Sequence, residues 1–127
     1  MRRLMAITLP LLLAMPAVAQ GQDGSDDTEI GSGLASYYGD ELAGNRTASG
    51  ERFDPADFTA AHRTLAFGSK VRVTNLANGK SVVVRVNDRG PWGGGRVIDI
   101  SHAAAKEIGM HRSGTARVSM TLVDGAD

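Results

Sequence analysis

The chain of 127 residues has no cysteine, four prolines, and only one tryptophan, two tyrosines and three phenylalanines. Without cysteine there are no disulfides, no cysteine-based zinc site and no lipobox for a lipid anchor. Neither charge sign dominates, since 14 Lys and Arg residues accompany 14 Asp and Glu residues. Nucleic-acid binding is therefore not indicated. The length suits one small domain, whose core must be stable without covalent cross-links.

The longest apolar stretch lies at the N terminus. Arg2 and Arg3 precede the apolar run 4–15, and Ala17-Val18-Ala19 follows it. This pattern is typical of a secretory signal peptide, so we predict that residues 1–19 are removed on export. No other stretch approaches the roughly 20 apolar residues of a membrane span. We expect a periplasmic monomer with no membrane anchor.

Residues 20–32 differ in composition from the rest of the exported chain. They contain four acids, no base and few apolar side chains, which is typical of a disordered linker. We therefore expect the folded domain to cover residues 33–124.

The apolar pattern of residues 33–124 has the period of β-strands. Six stretches are predicted strands: 34–38, 58–61, 70–74, 81–86, 97–101 and 116–123. The Asn78-Gly79 pair predicts a hairpin. One segment, 102–108, favours a helix, with Ser101 as its cap and Gly109 at its end. The sequence thus predicts an all-β fold, a compact six-stranded barrel with one short α-helix.

Polar groups gather near the ends of predicted strands, where a barrel can expose reactive side chains. In Val97-Ile98-Asp99-Ile100-Ser101, alternation sends Asp99 away from a core that holds the isoleucines. Partial desolvation favours a protonated carboxyl, as a general acid requires. Alternatively, Asp99 caps the following helix or pairs with Arg89 or Arg96.

A second acid, Asp88, follows the apolar alternation of Val82, Val84 and Val86. We expect Asp88 to leave the barrel at a rim and approach Asp99, because neighbouring carboxyls can keep one of the two protonated. Alternatively, Asp88 bonds its own backbone in a turn.

Three further residues are candidates. His62 could orient the Glu51 carboxylate or take protons itself, although a lone histidine is more often an ordinary surface residue. Trp92 lies among glycines, where an exposed indole suits stacking on a sugar, unless the ring folds back to plug the barrel. The three histidines show no metal-ligand spacing, and no serine has an evident histidine partner. Neither metal nor cofactor is implied.

Six passages carry a resemblance to a known family. They are Gly33-Leu34-Ala35-Ser36-Tyr37-Tyr38, Thr47-Ala48-Ser49-Gly50-Glu51-Arg52-Phe53, Ala60-Ala61-His62-Arg63-Thr64-Leu65-Ala66-Phe67-Gly68, Val71-Arg72-Val73-Thr74-Asn75, Asn87-Asp88-Arg89-Gly90-Pro91 and Arg96-Val97-Ile98-Asp99-Ile100-Ser101. In this order they resemble the rare lipoprotein A family. The resemblance implies a double-psi β-barrel, a fold shared with expansins and some endoglucanases. It also implies lytic transglycosylation of peptidoglycan, preferably of strands without stem peptides.

The resemblance also implies residue roles. Glu51 and His62 correspond to family residues needed for activity, and Asp54 and Asp88 to acids of the same groove. Asp99 is similar to an acid of expansins and related endoglucanases. We expect Glu51, His62, Asp88 and Asp99 to be catalytic, with Asp88 or Asp99 as the acid.

Substrate contacts are expected from Asp54, Arg89 and Trp92. The expected reaction cleaves the β-1,4 bond between N-acetylmuramic acid and N-acetylglucosamine and leaves a 1,6-anhydro end. Two other hypotheses are a non-catalytic glycan-binding or wall-loosening module, and a secreted interaction protein.

Overall fold

The computed structural model describes residues 27–123, so the predicted signal peptide and positions 20–26 of the predicted linker lie outside the described residues. The described chain contains six strands: β1 (Thr28–Tyr37), β2 (Thr59–Ala61), β3 (Lys70–Asn75), β4 (Ser81–Asp88), β5 (Arg96–Ile100) and β6 (Thr115–Leu122). A single 3-10 turn, Asp40–Leu42, follows β1, and helix α1, His102–Glu107, follows β5. Within residues 27–123, no helix has the length and hydropathy needed to cross a bilayer.

The strands close into a barrel in the order β1-β5-β2-β4-β3-β6. β1 runs parallel to β5 and β2 parallel to β4, whereas the other neighbouring pairs are antiparallel. Closure pairs the strand edges that an open sheet would expose. The predicted barrel of six strands with one α-helix is confirmed.

The core is built from alternate strand residues, because successive side chains of a strand point to opposite faces. Buried side chains on the inner face include Val71, Val73, Val82, Val84, Val86, Ile98 and Ile100. Helix α1 covers part of this core with Ala104, Ala105 and the adjoining Ile108, all fully buried. The predicted cap is also present, since the Ser101 hydroxyl accepts a hydrogen bond from the Ala104 amide at 3.3 Å.

The first strand begins earlier than the sequence predicts. Residues 28–32, expected to be the end of a disordered linker, form the beginning of β1. They pair with β6, where Thr28 lies opposite Leu122 and Ser32 opposite Ser119. Backbone pairing does not depend on apolar side chains, so the polar composition of this segment did not reveal the strand.

Candidate functional site

Asp88 and Asp99 lie on the two strands that flank β2. Ala61 of β2 pairs with Asp99 of β5 on one side and with Asp88 of β4 on the other. Neighbouring strands lie about 4.8 Å apart, so the Cα atoms of the two acids are on the order of 10 Å apart. The structure therefore places these two predicted site residues close together on the barrel.

A β-bulge decides where Asp88 faces. Ala60 pairs with Val86, but the next residue, Ala61, pairs with Asp88, so β4 contains one extra residue at Asn87. Strict alternation would direct Asp88 to the same side as the buried Val86. The extra residue reverses the alternation and brings Asp88 to the outer face.

Both oxygens of Asp88 accept hydrogen bonds. The amides of Ala48 and Arg89 donate to Oδ1, at 2.9 and 2.8 Å. The Tyr38 hydroxyl donates to Oδ2 at 2.7 Å. The bond from Arg89 is the local backbone contact expected of a turn, whereas the other two come from distant parts of the chain. Asp88 is therefore held as a fixed acceptor.

Tyr38, which the sequence did not identify as a candidate, hydrogen-bonds Asp88 and lies near enough to Asp99 to feel its charge. Burial, the hydrogen bond to Asp88 and the charges of Asp88 and Asp99 all raise the pKa of the Tyr38 phenol. The phenol therefore stays protonated and serves as a donor. Strand parity places Tyr38 on the same face as Ser36, but the pairing of Ser36 with Asp99 is known only from the folded barrel.

Asp99 points away from the core, as the alternation predicts, and its side chain is 13% exposed. The Ser36 hydroxyl donates to Asp99 Oδ1. Arg96 Nη1 lies 3.2 Å from Oδ1 and 3.5 Å from Oδ2. Of the alternatives, pairing with Arg96 is thus observed, whereas Ser101 caps the helix. Oδ2 is the less engaged oxygen of Asp99.

Glu51 forms an ion pair on the outside of β4. Arg85 Nη1 donates to Glu51 Oε2 at 2.5 Å, and Asn87 Nδ2 donates to Oε1 at 3.0 Å. These hydrogen bonds, with that from Arg85 the stronger, hold the pKa of Glu51 below its usual range. Glu51 is therefore a carboxylate at neutral pH and unsuited to donate a proton.

His62 follows β2 directly, and its amide donates to the Asp88 carbonyl at 3.2 Å. Its Nδ1 accepts from the amides of Thr64 and Leu65, at 3.2 Å each. Burial, with smaller contributions from the Arg63 and Arg89 charges, holds the pKa of His62 below its usual range. The ring is thus neutral at neutral pH, with its proton on Nε2.

Glu51 and His62 do not form a hydrogen-bonded pair with each other among residues 27–123. Each instead contacts the end of β4, Glu51 through the Asn87 side chain and His62 through the Asp88 carbonyl. Glu51 and His62 therefore contact the segment Asn87-Asp88, while Asp99 lies one strand away from it, across β2.

Two of the predicted substrate contacts, Arg89 and Trp92, differ in how far other residues already engage their side chains. Arg89 Nη1 donates to the carbonyls of His62 and Leu65, and its guanidinium lies 4.1 Å from the centre of the Phe67 ring. Arg89 thus holds the loop after β2 in place. Trp92 is 73% exposed, so its ring does not plug the barrel.

Asp54 lies in a different cleft from Asp88. Its Oδ1 accepts from the Ala56 amide at 2.9 Å, which closes a local turn. The cleft beside it is also lined by Asp40 and His102, which pair at 3.0 Å. In the part of the chain that the structure describes, no three His, Cys, Asp or Glu side chains are placed to hold a metal ion.

Comparison with known proteins identifies the family. The profile described as lytic transglycolase matches residues 30–120, which include all but the outermost residues of the barrel and every predicted site residue. The chain belongs to the lytic transglycolase family. Together with the observed topology, this match confirms the expected double-psi β-barrel, and the relatives described next confirm the resemblance to the rare lipoprotein A family.

Curated relatives in the lytic transglycolase family are similar over most of this chain. It is 51% identical to "Probable endolytic peptidoglycan transglycosylase RlpA" of Synechocystis sp. That match covers 92% of this chain and 36% of the relative. It is 56% identical to the "Endolytic peptidoglycan transglycosylase RlpA" of Neisseria meningitidis. That match covers 72% of this chain and 38% of the relative. The chain therefore spans little more than a third of the length of these relatives.

Solved structures share the barrel at lower identity. The apo expansin of Clavibacter michiganensis superimposes with a TM-score of 0.62 at 22% identity, over 80% of this chain and 52% of the expansin. The Streptomyces papain inhibitor has a TM-score of 0.59 at 24% identity, over 72% of this chain and 92% of the inhibitor. These likenesses concern the fold alone.

Proposed function

We propose that this chain is an endolytic lytic transglycosylase of peptidoglycan, acting preferably on strands without stem peptides. It would cleave the β-1,4 bond between N-acetylmuramic acid and N-acetylglucosamine and leave a 1,6-anhydro end. The names of the Synechocystis and Neisseria relatives support this activity and substrate. The observation that carries the proposal is the pair of acids, Asp88 and Asp99, flanking Ala61 with Tyr38 beside them.

Asp99 is the proposed acid and base. Its Oδ2 has only the 3.5 Å contact from Arg96, whereas Asp88 accepts two hydrogen bonds on Oδ1 and one of 2.7 Å on Oδ2. Protonated Asp99 gives its proton to the glycosidic oxygen as the bond from that oxygen to C1 of the muramic residue breaks. The C6 hydroxyl oxygen then bonds to C1 and passes its proton to the Asp99 carboxylate, so no water is consumed.

Arg96 and Ser36 would support the intermediate state of this cycle. Once Asp99 has given up its proton, the Arg96 guanidinium 3.2 Å away compensates the negative charge. The Ser36 hydroxyl, which contacts both Asp99 and Arg96, keeps the carboxylate in place.

The remaining residues would bind and orient the glycan. Neutral His62 presents Nε2–H as a donor to a sugar oxygen, and the Glu51 carboxylate accepts from sugar hydroxyls. Trp92 offers its exposed ring to a pyranose face. Arg89 and Asp54 are proposed as contacts farther along the glycan.

We also propose that residues 1–19 direct export, that positions 20–26 form a linker, and that the folded domain acts in the periplasm as an unanchored monomer. The cell-wall substrate in the relatives' names supports an extracytoplasmic site of action.

The test is digestion of purified, stem-free glycan strands by the purified protein, followed by mass spectrometry of the products. Products with 1,6-anhydro ends are expected. Reducing ends would indicate hydrolysis and would refute the transglycosylase mechanism.

A non-catalytic glycan-binding module is the second candidate, favoured by the Arg96–Asp99 pair and the exposed Trp92. A Clavibacter expansin with the same fold has been solved with cellohexaose. On this hypothesis the protein sediments with peptidoglycan, releases no soluble fragment, and loses sedimentation in Trp92→Ala. Release of anhydro fragments would eliminate it.

A further inference from the structure

A small pocket adjoins the proposed active site on the Asp88 side. It has a volume of about 230 Å³ and is lined by Tyr38, Leu42, Asn45, Arg46, Thr47, Phe53 and Asp88. Ligand sites for whole small molecules are typically about 300–1,000 Å³. This pocket therefore suits a substituent of a bound sugar rather than a separate ligand.

One side of the pocket is apolar. The rings of Tyr38 and Phe53 meet edge to face with centroids 4.8 Å apart. Phe53 is 3% exposed and therefore fixed, while Leu42, on the 3-10 turn, is 37% exposed and open to an incoming group. Such a wall favours contact with a methyl group.

The other side of the pocket carries polar side chains that offer both a hydrogen-bond acceptor and a donor. Asp88 Oδ2 accepts a single hydrogen bond among the described residues, from Tyr38, and retains capacity for another donor. The exposed side-chain amide of Asn45 makes no hydrogen bond to residues 27–123 and can donate to a carbonyl. One guanidinium nitrogen of Arg46, by contrast, is used by the Gly50 carbonyl.

We infer that this pocket binds the 2-acetamido group of an amino sugar. The acetamido N–H donates to Asp88 Oδ2, its carbonyl accepts from Asn45, and its methyl packs on Leu42. This inference rests on the proposed function for its polysaccharide substrate, and it adds that the substituent at C2 determines binding. A glucose unit offers no methyl or carbonyl there, and a glucosamine unit offers only an ammonium group. Although this ammonium can pair with the Asp88 carboxylate, it offers nothing to Asn45 or Leu42 and faces the Arg46 guanidinium, so de-N-acetylated glycan is the weaker ligand.

The experiment compares three hexasaccharides by isothermal titration calorimetry: N-acetylchitohexaose, its fully de-N-acetylated form and cellohexaose. None contains muramic acid, so binding is measured without the proposed cleavage. We expect the N-acetylated ligand to bind about tenfold more tightly, from one buried methyl and one hydrogen bond. Equal affinities, or tightest binding of the ammonium form, would overturn the inference.

Two variants locate the effect. Leu42→Asn keeps the side-chain size but removes the apolar contact, and Asn45→Ala removes the donor. Each should weaken N-acetylchitohexaose binding about fourfold and leave cellohexaose binding unchanged. Leu76→Asn is the matched control, since Leu76 is 56% exposed and lies in the β3–β4 loop at the other end of β4 from Asp88. Thermal melts verify that all three variants fold.

The outcomes separate this inference from the proposed function. Anhydro products without any preference for the N-acetylated ligand would support the transglycosylase activity and refute the role of the pocket in acetamido binding. A preference for the N-acetylated ligand that is lost in Leu42→Asn, without anhydro products, would support acetamido binding in the pocket and refute the transglycosylase activity.

Discussion

Replacement of Asp99 by Asn should separate activity from stability. The change keeps the side-chain shape but removes the titratable proton and the negative charge. Loss of a general acid and base typically lowers a rate about 10²- to 10⁴-fold. We therefore expect Asp99→Asn to release anhydro products at least about 100-fold more slowly than the unmodified protein.

The structural cost of this change should be small. The Arg96 and Asp99 side chains are 35% and 13% exposed, so the pair is partly screened by solvent. An amide oxygen at position 99 can still accept from Arg96 and Ser36. The expected loss of unfolding free energy is about 1 kcal/mol. For a domain of this size that lowers Tm by about 4–8 °C.

Product release is measured by mass spectrometry at 25 °C, well below the expected melting range, and Tm by calorimetry. Asp57→Asn is the control, because it makes the same chemical change at an exposed residue outside the cluster. Activity of Asp99→Asn above a tenth of the unmodified level would refute the assignment of Asp99. A drop in Tm far beyond 8 °C would instead show that the Arg96 pair is mainly structural.

Three other predictions follow from single contacts. Tyr38→Phe removes the hydrogen-bond donor to Asp88 and should lower kcat about tenfold with little change in KM. Both constants are measured from initial rates, and an unchanged kcat would exclude a positioning role for Tyr38. Arg85→Gln should raise the pKa of Glu51 toward its usual value in an NMR titration, and an unmoved pKa would contradict the assigned cause. Because the folded-state pKa of Glu51 is lowered, its stabilising contribution exists above the usual carboxyl pKa and is lost as pH falls through the lowered value. Trp92→Ala should reduce sedimentation with peptidoglycan while unfolding free energy changes by less than about 0.5 kcal/mol, and undiminished sedimentation would exclude stacking.

The fold was largely predictable because its determinants are local. Alternation of apolar residues in β3 and β4, the Asn78-Gly79 turn and the Ser101 cap each act over a few neighbouring residues. The start of β1 was not predictable in this way. Residues 28–32 lack alternation, and their strand conformation depends on pairing with β6, some 90 residues later in the chain.

In the candidate site, too, some features follow from local sequence and others depend on distant contacts. The sequence by itself determined that Asp99 leaves the core, since its neighbours Ile98 and Ile100 are apolar on a strand of period two. Only the tertiary structure decided that Tyr38 bonds Asp88, 50 residues away, and that Arg85 holds Glu51, 34 residues away.

The physical reason lies in strand order and register. Side-chain parity is a property of one strand, whereas contacts across a barrel depend on which strands pair and at which residue. Here β2 lies between β4 and β5, and a single extra residue at Asn87 brings Asp88 beside Ala61. Local sequence specifies the alternating strands, but the closed packing of all six brings the acids together.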